Sequence, residues 1–182
     1  MGISLTRLDP TGNDRDALID FMTGNDFPFH MNTQPTRESV MRGIDDGAYR
    51  DEDNDSYWID HSDAGRIGFA RLEDLSEFAP LFDLRLSSEF RERGFGVPVL
   101  RAMTELVFTS MPGVTRFEGQ TREDNAAMRR VFARAGWVLE AYYREAWPVH
   151  GADPVASVAY SRLRRDWTSG ETTPVPWNEL IG

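Results

Sequence analysis

A chain of 182 residues, 40% hydrophobic, is long enough for one well-buried core and short for two independent ones, so a single domain is expected. It has no cysteine, which excludes a disulfide framework, a thiolate nucleophile and a cysteine-based zinc site, and no metal is expected. All 20 basic residues are arginine, and a formal charge of -10 argues against a nucleic-acid partner while suiting a cationic acceptor.

No run of about 18 apolar residues occurs, and Asp9, Asp14, Asp16, Asp20 and Asp26 stand where an export signal would place basic and then apolar residues. The expected setting is the cytoplasm, away from membranes. Ile3 to Leu8 alternates as an edge strand, and Ala17, Leu18, Phe21 and Met22 are spaced for a helix over 13–22. Gly24 to His30 reads as an aromatic elbow before a second helix from Arg37 to Asp45, with Thr36 as its cap. An acidic turn at Asp51–Asp55 leads into three strands, Ser56–Asp60, Arg66–Glu73 and Leu81–Leu86. The loop 91–96 opens a helix from Val97 to Phe108, with Pro98 in the first turn, where its missing N–H costs little. A strand from Thr115 to Thr121, a helix from Asn125 to Ala135 closed by Gly136, and strands Trp137–Trp147 and Val155–Leu163 complete the pattern. The domain is expected over 1–167, with an irregular tail over 168–182. The fold class is mixed α/β, with about four helices and six to seven strands.

The segment Arg91-Glu92-Arg93-Gly94-Phe95-Gly96 carries the chemistry. The first amides of a helix lack intrahelical acceptors, and the helix dipole favours negative charge beside them. Gly94 and Gly96 permit close backbone approach, while Arg91 and Arg93 add positive charge, so the segment reads as an anion site or as a structural turn. A third glycine and a following acidic residue in register are missing for a dinucleotide fingerprint, and a P-loop needs a lysine. Nicotinamide cofactors and nucleoside triphosphates are therefore disfavoured.

Arg91-x-x-Gly94-x-Gly96 after Phe82-Asp83-Leu84-Arg85-Leu86 resembles the cofactor motif of the GNAT acyltransferases. The helix Asn125-x-x-Ala-Met-x-x-Val-Phe ending at Gly136-Trp137 is similar to the second motif of that superfamily. Thr121-Arg-Glu-Asp-Asn125 and Glu140-Ala-Tyr-Tyr-Arg144 most resemble the branch of ribosomal-protein N-terminal acetyltransferases and some aminoglycoside N-acetyltransferases. The resemblance implies a GNAT fold, a twisted and mostly antiparallel central sheet with a V-shaped splay between strands 81–86 and 115–121. It implies direct transfer of an acyl group, acetyl above all, from CoA to the primary amine of a small molecule or a protein N-terminus, by a monomer or homodimer. Arg91, Glu92, Arg93, Gly94, Phe95, Gly96 and Val97 would surround the pyrophosphate, and Leu84 and Leu86 would present main-chain groups to the pantetheine arm. Asn125 would reach the pantetheine or order its helix, and position 132 would lie beside the cofactor. Many members carry a tyrosine there that protonates the leaving thiolate. Phe132 cannot donate a proton, which keeps a second reading open, a non-catalytic acyl-CoA sensor.

Direct transfer needs a proton acceptor for the amine, donors for the oxyanion and, optionally, an acid for the thiolate. Glu118 is the expected base, or else an ordinary strand carboxylate paired with Arg116 or Arg122. Gln120 shares its face and is an expected acceptor contact. Tyr142 or Tyr143 is expected to replace the missing acid, with Tyr143 assigned that role and Tyr142 to the acceptor pocket. Phe29, His30, Trp58 and Trp147 complete that pocket, His30 serving as acceptor contact or base. Asp45, Asp46, Asp51, Glu52, Asp53 and Asp55 form either a lure for a polycation or a solvated surface.

Overall fold

The computed structural model describes residues 2–177. In chain order the elements are β1 (Ile3–Arg7), α1 (Arg15–Thr23), α2 (Arg37–Asp45), β2 (Asp55–His61), β3 (Gly65–Glu73) and β4 (Leu81–Leu86). They continue as α3 (Gly96–Ser110), β5 (Arg116–Arg122), α4 (Ala126–Arg134), β6 (Val138–Val149), β7 (Ala152–Leu163) and α5 (Arg164–Ser169). The seven strands form two antiparallel sheets, ordered β1-β2-β3-β4 and β5-β7-β6. β4 and β5 touch where both begin, the Glu118 amide donating to the Pro80 carbonyl at 3.0 Å. Among the described residues no ladder joins them further along, so the two sheets part there like an opened hinge.

Alternation along β4 decides what each side of this opening holds. Phe82, Leu84 and Leu86 pack against the larger core, where Val99, Leu100, Met103 and Val107 of α3 meet Phe117, Phe132, Trp137 and Tyr160. Burying an aromatic or branched side chain of this size contributes about 1.5–3 kcal/mol, so this face of the sheet is fixed by packing. On the other face a second core joins α1 and α2 to β2 and β3 through Leu18, Ile19, Met22, Phe27, Val40, Ile44, Trp58 and Phe69. Gly119 of β5 has no room for a side chain, since a Cβ would lie 2.5 Å from Phe82 Cε1 and 2.8 Å from Phe132 Cζ.

Helix ends are secured by side chains. The Thr36 hydroxyl accepts from the Ser39 amide at 3.2 Å, and the Asn125 side chain accepts from the Met128 amide at 3.2 Å. The guanidinium of Arg164 donates to the carbonyls of Phe108, Met111 and Val114 at 2.6–2.7 Å, tying off the end of α3. Arg164 also opens α5, a fifth helix that apolar spacing does not announce, and it carries regular structure past residue 167.

Candidate active site

After β4 the chain makes a short 3-10 turn at Ser88–Phe90 and then reverses into α3. Glu92 has φ +59° and Gly94 φ +86°, so two left-handed residues turn the backbone back on itself within three positions. Phe95 stands at the helix entrance without a side-chain cap. Among the described residues, none of the amides from Glu92 to Val97 is given to a protein acceptor. Around Gly94 the space is open, with nothing within 4 Å of where a Cβ would sit. The geometry is that of an anion cradle: free N–H groups, the positive end of a helix of 15 residues, and no side chain in the way. Arg93 lies over the Phe90 ring at 5.9 Å, and the Phe95 ring meets His61 edge-on at 5.0 Å.

Arg91 is less free than the sequence suggests. Its Nε donates to the Leu86 carbonyl at 3.1 Å, and its Nη1 and Nη2 donate to the side chain and carbonyl of Asp26. The Ser88 amide donates to Asn25 at 2.8 Å, and the Ser88 hydroxyl to Asp26 at 3.0 Å. The elbow between α1 and α2 is thus bolted to the start of the turn. On its other flank Arg122 of β5 donates to the Pro28 carbonyl at 3.3 Å and stands over the Phe29 ring at 5.4 Å. The elbow therefore spans the mouth of the splay from β4 to β5.

Beneath it lies a cleft of about 400 Å³. Leu81 to Arg85 form one wall, and Gln120, Thr121, Asn125 and Met128 the other; Phe29, His30, Met31 and Trp147 close over it, and Arg71 and Glu73 reach in from β3. The floor of charge is internally matched. Arg85 Nε donates to Asp83 Oδ2 at 2.9 Å, and Arg71 is engaged by Glu73 through Nε at 2.8 Å and lies 4.0 Å from Asp83. His30 Nε2 is 3.1 Å from Asp83 Oδ1, an ion-pair distance without hydrogen-bond alignment. Burial is the largest influence on Asp83 and pushes its carboxyl up, but His30, Arg85 and Arg71 together outweigh it and hold the group well below the usual carboxylate range.

The structure brings Phe29, His30, Leu84, Gln120, Asn125 and Trp147 together around this cleft. Asn125 does so while capping α4 and donating to the Thr121 hydroxyl at 3.0 Å, so its side chain is already committed to ordering the helix.

Other residues expected at the site lie elsewhere. Trp58 is 1% exposed, its indole N–H donating to Asp14 at 2.9 Å inside the second core, because its turn of the strand faces α1 and not the splay. Tyr142 and Tyr143 sit on β6 and are half-exposed; neither lines the cleft, and the Tyr142 hydroxyl is held by Glu123. Phe132 is fully buried, stacked on Tyr160 at 4.5 Å behind Gly119, so it does not border the opening. Glu118 lies at the closed end of the strand pair and is clamped by Arg116 at 2.6 Å, which in turn is bonded to Glu140; of its two sequence readings, the structure has the ion pair.

Asp83, Arg85, Arg71 and Glu73 were not singled out by sequence. Their signal was polar residues alternating with apolar ones on two adjacent strands, where a buried face should have been apolar.

The family model described as an acetyltransferase (GNAT) domain matches residues 4–138. Curated protein sequences contain no match. Among solved structures, the chain is similar to a spermidine N-acetyltransferase from Vibrio cholerae in complex with CoA and spermine, at TM-score 0.77 and 12% identity over 91% of this chain and 98% of that one. It is also similar to a ribosomal L7/L12 alpha-N-protein acetyltransferase in complex with coenzyme A, at TM-score 0.74 and 17% identity over 90% and 94%. A GNAT-family acetyltransferase from Bacillus anthracis aligns at TM-score 0.71 and 14% identity over 91% and 96%. No helix among the described residues is long and apolar enough to cross a membrane.

Proposed function

We propose, for a chain that belongs to the GNAT acetyltransferase family and is an acyl-CoA-dependent N-acyltransferase, that acetyl-CoA seats its diphosphate on the amides of residues 92–97 and threads its thioester between β4 and β5. The observation that carries this reading is the row of unclaimed amides beside two positive-φ residues, in the turn that follows the end of β4. A diphosphate supplies the acceptors those donors lack. Leu84 and Leu86 line the route the pantetheine takes, Arg91 shapes the turn through Asp26, and Arg93 is the freer cation.

The acceptor amine enters from the elbow side, past Phe29, His30, Gln120 and Trp147. Glu73 and Asp83 Oδ2 are engaged by arginines, and the remaining oxygen of Asp83 faces His30 at 3.1 Å, so the cleft walls offer no spare carboxylate for a second ammonium. That favours a single amine, on a small molecule or a protein N-terminus, over a polyamine. With Phe132 buried and Tyr143 outside the cleft, CoA departs as a thiolate without a protein acid. The test is thiol release from acetyl-CoA with an alkyl monoamine, an α-amine peptide and spermidine. Either of the first two outpacing spermidine supports the single-amine reading, and preference for spermidine overturns it.

A further inference from the structure

We propose that His30 accepts the proton of the attacking amine and that Asp83 holds the imidazolium so formed, an inference that rests on the splay being the acyl-transfer site. Among the described residues lining the cleft, the titratable side chains are His30, Arg71, Glu73, Asp83 and Arg85. The arginines cannot act as bases near neutrality, and both carboxylates are held by guanidinium groups, which makes them weak proton acceptors. Imidazole is the side-chain type that exchanges a proton near neutrality, and His30 has no permanent cation bonded to it.

Its position is built and not incidental. The His30 amide donates to the Phe27 carbonyl at 3.0 Å, its ring packs edge-on against Phe27 at 5.6 Å, and the elbow is tied to both flanks of the splay. The side chain remains 28% exposed, toward the cleft it lines. Asp83 Oδ2 takes Arg85, whereas Oδ1 is buried without an aligned donor and lies 3.1 Å from His30 Nε2. His30 Nδ1 is buried without a partner, so the proton arrives at Nε2, where the new positive charge lies 3.1 Å from that oxygen. Asp83 stays ionised throughout the range in which a histidine titrates, because its carboxyl is held far below that range.

The charged groups lining the cleft with His30 or flanking its elbow are Arg71 and Glu73 from β3, Asp83 and Arg85 from β4, Asp26 of the elbow with Arg91 of the turn, and Arg122 from β5. The cations among them are each matched by a carboxylate or a carbonyl, which leaves Asp83 Oδ1 as the partner for a new positive charge. In the reaction the amine nitrogen forms a bond to the thioester carbonyl carbon, and the C–S electron pair leaves with the CoA sulfur. The proton released by nitrogen passes to His30 and from there to solvent. Asp83 touches no reacting atom and is a positioning residue.

The experiment measures kcat against pH by thiol release over a series of amines of differing basicity, for wild type, His30→Gln and Asp83→Asn, with CoA affinity by calorimetry. In wild type, one acid limb moves with the amine and a second keeps its place. His30→Gln is expected to abolish the fixed limb and lower kcat about 10²- to 10⁴-fold, with CoA affinity unchanged. Asp83→Asn is expected to keep that limb but move it to lower pH, since the imidazolium loses its counter-charge. Retention of the fixed limb by His30→Gln, with a rate within tenfold of wild type, overturns the proposal, as does an unmoved limb in Asp83→Asn. A His30→Gln protein that loses CoA binding along with activity also overturns it, since the histidine is then structural. Failure of the underlying site reading looks different: wild-type CoA affinity would survive Gly94→Asp.

Discussion

Replacing Gly96 with alanine tests how the cofactor turn is held against α4. A Cβ at this position would lie 2.6 Å from Val131 Cγ2, against an ordinary carbon–carbon contact of about 3.5–4.0 Å. The overlap is therefore about 1 Å. Val131 is β-branched and sits within a helix, so its χ1 offers little escape, and either α4 or the entrance of α3 must shift. Overpacking of this kind costs about 1–3 kcal/mol, and the better helix propensity of alanine offsets up to about 1 kcal/mol of it. A net loss of about 1–2 kcal/mol is expected in urea unfolding at constant m, together with weaker CoA binding as the amides are displaced. Val131→Ala removes the obstacle. In the double variant the two effects should couple favourably by about 1 kcal/mol or more, with CoA affinity recovering. Additivity within about 0.5 kcal/mol would refute the contact as the reason for glycine here.

Gly94→Asp faces no such obstruction, because the space around it is open, and folding should lose only about 1–2 kcal/mol from its left-handed backbone. It sets a carboxylate where the diphosphate belongs, so calorimetry should find CoA binding lowered at least about 100-fold, equivalent to about 2.7 kcal/mol. Asp14→Ala leaves the buried indole N–H of Trp58 without an acceptor and should cost about 1–3 kcal/mol in thermal or urea unfolding; a change in amine KM instead would return Trp58 to the acceptor pocket. Glu118→Gln breaks a partly exposed ion pair at the closed end of the splay, and kcat should change less than about fivefold, whereas a large loss would restore Glu118 as the base.

The elements most legible in the sequence were those whose signal is local. Thr36 and Asn125 announce their helices because a cap acts within three residues, and Gly94 marks a backbone angle that its own neighbours require. Period two places Trp58 on one face of β2, yet says nothing of whether that face looks into a cleft or under a helix. The same ambiguity misplaced Tyr142 and Tyr143, which lie on an edge strand whose two faces are both half-open. Phe132, which the family motif implies beside the cofactor, is buried behind Gly119, whose missing side chain leaves room for its ring. The bolting of Arg91 to Asp26, 65 residues apart, depends on tertiary folding alone and left no pattern to read. Asp83 and Arg85 did leave one, as charges alternating with apolar residues along Leu81–Leu86, but among surface arginines and aspartates elsewhere in the chain they do not stand out until the structure is seen to bury them.

Whether the turn after β4 holds the cofactor is decided by a crystal structure with CoA bound. Diphosphate oxygens should lie about 3 Å from the amides of residues 92–97, with the pantetheine between β4 and β5. CoA held instead by Arg101, Arg134 and Arg162, in the recess of about 370 Å³ beside α5, with the turn bare, would contradict it.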